Sequence, residues 1–72
     1  ANPFSITTTI EVKHAKGLHQ LQVFNPLGSM VFSAQSENGK FQIDRSALSK
    51  GMYIYRVLDK NGMVGTGKFV AE

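Results

Sequence analysis

Apolar and polar residues alternate along most of this chain, and the alternation predicts strands rather than helices. Ile6, Thr8, Ile10 and Val12 fall on one face of a first strand. Leu21 and Val23 share a face of a second strand, Met30, Phe32 and Ala34 of a third, and Phe41 and Ile43 of a fourth. A two-residue period is that of a strand with one face on a core and the other in water. From Met52 to Leu58 only Arg56 interrupts the apolar character, so this run reads as a central strand covered on both faces. A last strand is predicted over 63–70. No window shows a helical period. The helix-like stretch 44–49 is too short to be stable alone and reads as a single turn between sheets.

Glycines punctuate the pattern at Gly17, Gly28, Gly39, Gly51 and Gly62, at intervals of 11, 11, 12 and 11 residues. Turn signals at this spacing belong to short strands of a sandwich or barrel. Asn25-Pro26-Leu27-Gly28 suits a type I turn, with proline at its second position and glycine at its fourth. Asn38-Gly39 and Asn61-Gly62 are turn pairs, and Ala15-Lys16-Gly17 and Ser49-Lys50-Gly51 are also read as turns. Gly65 and Gly67 lie inside a strand pattern, where glycine marks a bulge or a close crossing. The residues between the glycines do not repeat, so the beat measures strand length. The prediction is six or seven antiparallel strands in two packed sheets, with an open barrel as the rival.

Composition narrows what such a fold can do. The 72 residues fit one domain, and a domain of this size buries only about 60% of its unfolded surface. There is no cysteine, hence no disulfide or thiolate metal site, and the 42% apolar content must supply the stability alone. A deep, water-excluding catalytic pocket is hard to build at this size. The net charge of +3 is spread over eight lysines and arginines, without the cluster or stripe of a nucleic-acid footprint. No apolar run approaches the roughly 20 residues of a membrane-spanning helix. The chain starts at Ala1 without a basic, then apolar, leader, and is read as a segment of a longer protein whose export signal lies elsewhere.

Candidate chemistry is sparse. Gly62-Met63-Val64-Gly65-Thr66-Gly67-Lys68 has the spacing of a phosphate loop. That chemistry also needs a hydroxyl residue to hold Mg²⁺ and a following helix, and Phe69 comes next. His14 and His19 flank a turn with Glu11 nearby, and read as two exposed residues rather than metal ligands. No serine occupies a nucleophile elbow, and Ser46 beside Asp44 reads as local capping chemistry. The aromatics Phe4, Phe24, Phe32, Phe41, Tyr53, Tyr55 and Phe69 occur about once per strand, as packing residues do. Tyr53 and Tyr55 share a face, where one hydroxyl can tie down a neighbouring loop. The reading is of no enzyme, no cofactor and no metal.

Four segments carry a family resemblance. Asn2-Pro3-Phe4 is similar to the remainder of a Pro-Asn-Pro opening. Leu21-Gln22-Val23-Phe24-Asn25-Pro26-Leu27-Gly28-Ser29-Met30-Val31 is an apolar strand, turn and glycine before another apolar run. Ile43-Asp44-Arg45-Ser46-Ala47-Leu48-Ser49-Lys50-Gly51-Met52-Tyr53-Ile54-Tyr55 resembles an Ile-Asp-x-Ser-x-Leu-x-x-Gly-(Val/Ile)-Tyr motif, and Lys68-Phe69-Val70 follows near the chain end. In that order they resemble the type A C-terminal sorting domain (Por secretion tail) of type IX secretion cargo, over Asn2 to Val70. Ala1 in place of a first proline, Pro26 in the turn and Met52 in place of a β-branched residue are departures.

The resemblance implies an all-β, immunoglobulin-like antiparallel β-sandwich, with residues 1–72 as a single sorting domain. It implies a folded address label, recognised by the outer-membrane secretion machinery and covalently linked to an upstream cargo domain. A sortase-like protease would remove it at or before Ala1. Localisation would be secreted or at the cell surface, through the periplasm and outer membrane, without membrane insertion or nucleic-acid binding. The recognition candidates are Gly28, Gly51, Tyr53, Lys68, Phe69 and Val70. Each also has a structural reading: Gly51 permits a sharp entry into a buried strand, Tyr53 adds an apolar ring with a polar tip, and Leu48 plugs the core below the turn. The final strand is expected to offer an exposed edge to a receptor. The alternative is an immunoglobulin- or fibronectin-like accessory module for glycan binding or spacing.

Overall fold

A computed structural model describes residues 3–4, 7–13 and 16–72. Ala1, Asn2, Ile6, His14 and Ala15 lie outside the described residues. Among the described residues seven strands form: β1 (Pro3–Phe4), β2 (Thr7–Glu11), β3 (His19–Phe24), β4 (Met30–Ser36), β5 (Lys40–Asp44), β6 (Gly51–Asp59) and β7 (Gly62–Ala71). The larger sheet has the order β1-β7-β6-β3-β4, antiparallel except where β1 runs parallel to β7. The smaller sheet is the antiparallel pair β2-β5. The two layers make the expected all-β sandwich.

The predicted alternation sets which residues enter the core. Leu21 and Val23 of β3 and Tyr53 and Val57 of β6 meet Ile10 of β2 and Phe41 and Ile43 of β5. β5 is the clearest case, since Phe41 and Ile43 are buried and Lys40, Gln42 and Asp44 exposed. Val12, Phe32, Ala34 and Tyr55 pack partly buried around this cluster. The chain passes from β5 to β6, and so between the sheets, through one 3₁₀ turn at Arg45–Ala47. Leu48 follows it into the core, as predicted. The Asn25–Gly28 turn also forms as read, with the Gly28 N–H donating to Asn25 O at 2.9 Å.

Four expectations are corrected. Met30 does not share the inward face of Phe32 and Ala34. Val23 pairs with Phe32 and Phe24 with Met30, so Val31 is an extra residue that turns Met30 to the outer face. β6 is central in strand order, but the β2-β5 pair covers only one face of its sheet, and Met52 and Ile54 stay 50% and 49% exposed. His19 is buried at 4% exposure rather than solvated, because it occupies the inward register of Leu21 and Val23. Its Nδ1 lies 3.0 Å from Gly17 O. Asp44 makes no side-chain cap on the 3₁₀ turn and Ser46 is exposed. Arg45 ties the turn instead, with Nη1 donating to Leu48 O at 2.6 Å and Nε to Glu72 O at 3.0 Å.

Of the two strand glycines, Gly67 marks the close approach that was predicted, whereas the bulge falls on Val64 next to Gly65. Leu58 pairs with Met63 and Val57 with Gly65, which leaves Val64 as a bulge. Gly67 faces Tyr55 across the β6–β7 ladder, and the phenol ring lies over it. A Cβ at position 67 would stand 2.5 Å from the Tyr55 hydroxyl oxygen and 2.6 Å from Cζ, whereas one at Gly65 would meet nothing within 4 Å. Gly67→Ala is therefore expected to destabilise the domain by about 1–3 kcal/mol through overpacking. Gly65→Ala should be neutral or stabilising by up to about 1 kcal/mol. Urea denaturation checks both, and in a Tyr55→Ala background the cost at position 67 should vanish.

Candidate functional site

Five of the six recognition candidates lie on one ladder. Between β6 and β7 the pairs are Gly51↔Ala71, Met52↔Val70, Tyr53↔Phe69 and Ile54↔Lys68. Successive side chains of a strand point to opposite faces. Phe69 and Ala71 thus enter the core while Lys68 is exposed and Val70 half-buried on the outer face. Gly28 stands apart, exposed in the β3–β4 turn at the rim of an outer-face groove that Ile54 also lines.

Aromatic packing holds the ladder. The Tyr53 and Phe69 rings are stacked with centroids 5.7 Å apart and planes 28° apart, and Tyr55 and Phe69 lie at 6.2 Å and 30°. Offset contacts of this kind add to the apolar area that each ring buries. The Tyr53 hydroxyl donates to Ser49 O at 2.5 Å, which anchors the turn leading into β6 as the sequence suggested. Gly51 opens β6 with φ +150°, a conformation that side-chain-bearing residues rarely adopt.

The edge of β7 is only partly open. β1 pairs with Val70 and Ala71, so the end of the final strand is covered, against the expectation of a bare edge. Over residues 62–68 no strand lies on that side among the described residues. The covered end follows from the chain's path, since a parallel partner from the opposite end of the sequence leaves no local turn signal.

Arg45 and Arg56 also shape the surface, and sequence reasoning gave neither a role. Arg56 was legible only as the single charge in an apolar run. Its guanidinium lies 5.1 Å from the Phe24 ring centroid and its Nε donates to Gln22 Oε1 at 2.6 Å. The described residues contain no group of three or more His, Asp or Glu placed to hold a metal ion. The phosphate-loop spacing at Gly62–Lys68 is strand throughout, without the helix that such a loop requires.

The fold and the ladder define a small all-β sandwich module. Residues 2–72 match the family described as secretion system C-terminal sorting domain, and the chain belongs to that family. Comparison with curated proteins and with solved structures returns no match. The family is one of type IX sorting signals rather than enzymes. Its members engage the secretion machinery and are attached to upstream cargo, on secreted or cell-surface proteins. No helix among the described residues is long and apolar enough to cross a membrane.

Tyr53→Phe keeps the ring stack and removes the hydroxyl that binds Ser49. It should lower unfolding free energy by about 0.5–1.5 kcal/mol, the usual net value of such a bond. Chemical denaturation should show a lower midpoint with an unchanged slope.

Proposed function

We propose that this domain is read in the folded state, by the outer-membrane machinery of type IX secretion, through the C-terminal half of the β6–β7 ladder. Residues 1–72 then act as one label on the cargo that precedes them. Cargo reaches the periplasm by a separate signal, the machinery grips the label, and a sortase-like protease cuts on its N-terminal side. Cargo ends in the medium or on the cell surface.

One observation supports this reading above the others: Lys68, Phe69 and Val70 are consecutive and divide their work between faces. Phe69 fixes the strand in the core, and Lys68 faces outward beside the partly open edge. An open strand edge offers N–H and C=O groups to an incoming strand, and a lysine there adds charge complementarity while discouraging uncontrolled pairing. Gly51 and Tyr53 act from behind, by setting the start of β6 against Ala71 and Phe69.

The test is a periplasmic reporter fused upstream of the domain, expressed in a host with type IX secretion. The fusion should reach the medium or surface, and the reporter alone should stay in the periplasm. Lys68→Glu should reduce export while the melting temperature of the purified domain stays within a few degrees, since exposed substitutions usually cost under about 0.5 kcal/mol. A folded fusion retained in the periplasm would refute the reading, and glycan binding by such a retained fusion would favour the accessory-module alternative.

A further inference from the structure

The face of the larger sheet turned away from β2-β5 carries an unusual mixture of side chains. Across the strands its rows read Met30–Phe24–Ile54–Lys68 and Ser33–Gln22–Arg56–Thr66. Met30, Met52, Ile54 and Met63 each expose roughly half of their surface or more. Contiguous apolar area of this kind, rather than scattered exposed residues, marks interaction sites.

Within the strands of this face the charged side chains have one sign. Arg56 and Lys68 lie on it, and no Asp or Glu occupies an outward strand position beside them. Glu11 is on β2, Glu37 in the β4–β5 turn, Asp44 at the end of β5 and Glu72 beyond β7. Asp59 ends β6, where its Oδ1 accepts the Asn61 N–H at 2.7 Å.

Arg56 is pre-oriented on this surface. Phe24 supports the guanidinium plane from below, and Gln22 holds Nε. Nη1 and Nη2 have no partner among the described residues, which leaves the end of the fork presented outward. A guanidinium held in this way suits a carboxylate, which takes two parallel N–H donors. Beside it opens a groove of about 420 Å³, lined in part by Phe24, Pro26, Ile54 and Met63.

We propose that this outer face is a second docking surface, for a protein segment that places an Asp or Glu carboxylate on Arg56 and an adjacent apolar side chain in the groove. The proposal rests on the sorting reading, with the export machinery supplying that segment, and adds a face to the β7 edge. Two other occupants fit worse. Recruitment to anionic lipid uses clusters of about four to eight basic residues, and this face has two. A second copy docked face to face would set Arg56 and Lys68 against the same charges, with no carboxylate on the paired strand rows to offset them.

The reporter fusion separates the possibilities. Arg56→Glu should cut export roughly tenfold or more, as reversal of a docked charge pair does, and Arg56→Lys should fall between it and wild type. Ile54→Ser, on the same face, should also reduce export. Lys40→Glu makes the same charge change on the smaller sheet and should export normally. Thermal melts of each purified domain report folding. Export of folded Arg56→Glu and Ile54→Ser at the wild-type level would overturn this inference and leave the sorting reading standing. Retention of the wild-type fusion would overturn both. A defect in Lys40→Glu equal to that of Arg56→Glu would reduce the effect to net charge, and so refute a specific site. Flotation with phosphatidylglycerol vesicles that is lost in Arg56→Glu would assign the face to membrane, and a concentration-dependent dimer lost in that variant would assign it to a second copy. Either result overturns the proposal.

Discussion

The packing of Phe69 against Tyr53 and Tyr55 is the contact on which this small sandwich depends. Two of the inward positions of β7 are glycine, at 65 and 67, and offer the core no side chain. Phe69 and Ala71 supply the buried apolar surface that holds the strand. Burying a phenylalanine contributes about 1.5–3 kcal/mol, a large part of the stability of a domain without disulfides. The Tyr55 ring reaches its place because Gly67 leaves it room. The Tyr53 hydroxyl in turn ties the Ser49 carbonyl, so the entry into β6 hangs on the same cluster.

On the proposed reading, placing the outward-facing recognition candidates on that ladder couples the signal to the fold. Lys68 points outward because Phe69 points inward, and a one-residue slip would exchange the two. A chain that fails to close its core therefore fails to present the lysine. The link lies in the register and follows from the two-residue period of the strand.

The same sheet limits unwanted association. Its long strands β4 and β7 each contain an extra residue opposite a partner, at Val31 and Val64, and such bulges twist an edge away from flat pairing. β1 covers the last residues of β7. Among the described residues the open stretch is thereby confined to residues 62–68, the part of the edge that Lys68 flanks.

Much of this architecture was legible in the residue order. The period of two gave the inward set Ile10, Leu21, Val23, Phe41 and Ile43, since a half-buried strand leaves its pattern in sequence, whereas in β6, apolar on both sides, it could not separate the inward Tyr53 and Val57 from the exposed Met52 and Ile54. The glycine beat gave the turns, and the motif from Ile43 to Tyr55 gave the family. Sheet membership was not legible. Asn38-Gly39 leads from one sheet to the other, whereas Asn61-Gly62 closes a hairpin, and the two pairs read alike. Met30 turned outward and Arg56 came to rest on Phe24 because of a bulge and a cross-strand register, neither of which has a local signal. Sequence alone determined which residues alternate and where the chain turns, because those are nearest-neighbour effects. Tertiary structure decided which faces stay uncovered, which edge is capped and which cations stand without a carboxylate beside them, because those depend on partners distant in sequence.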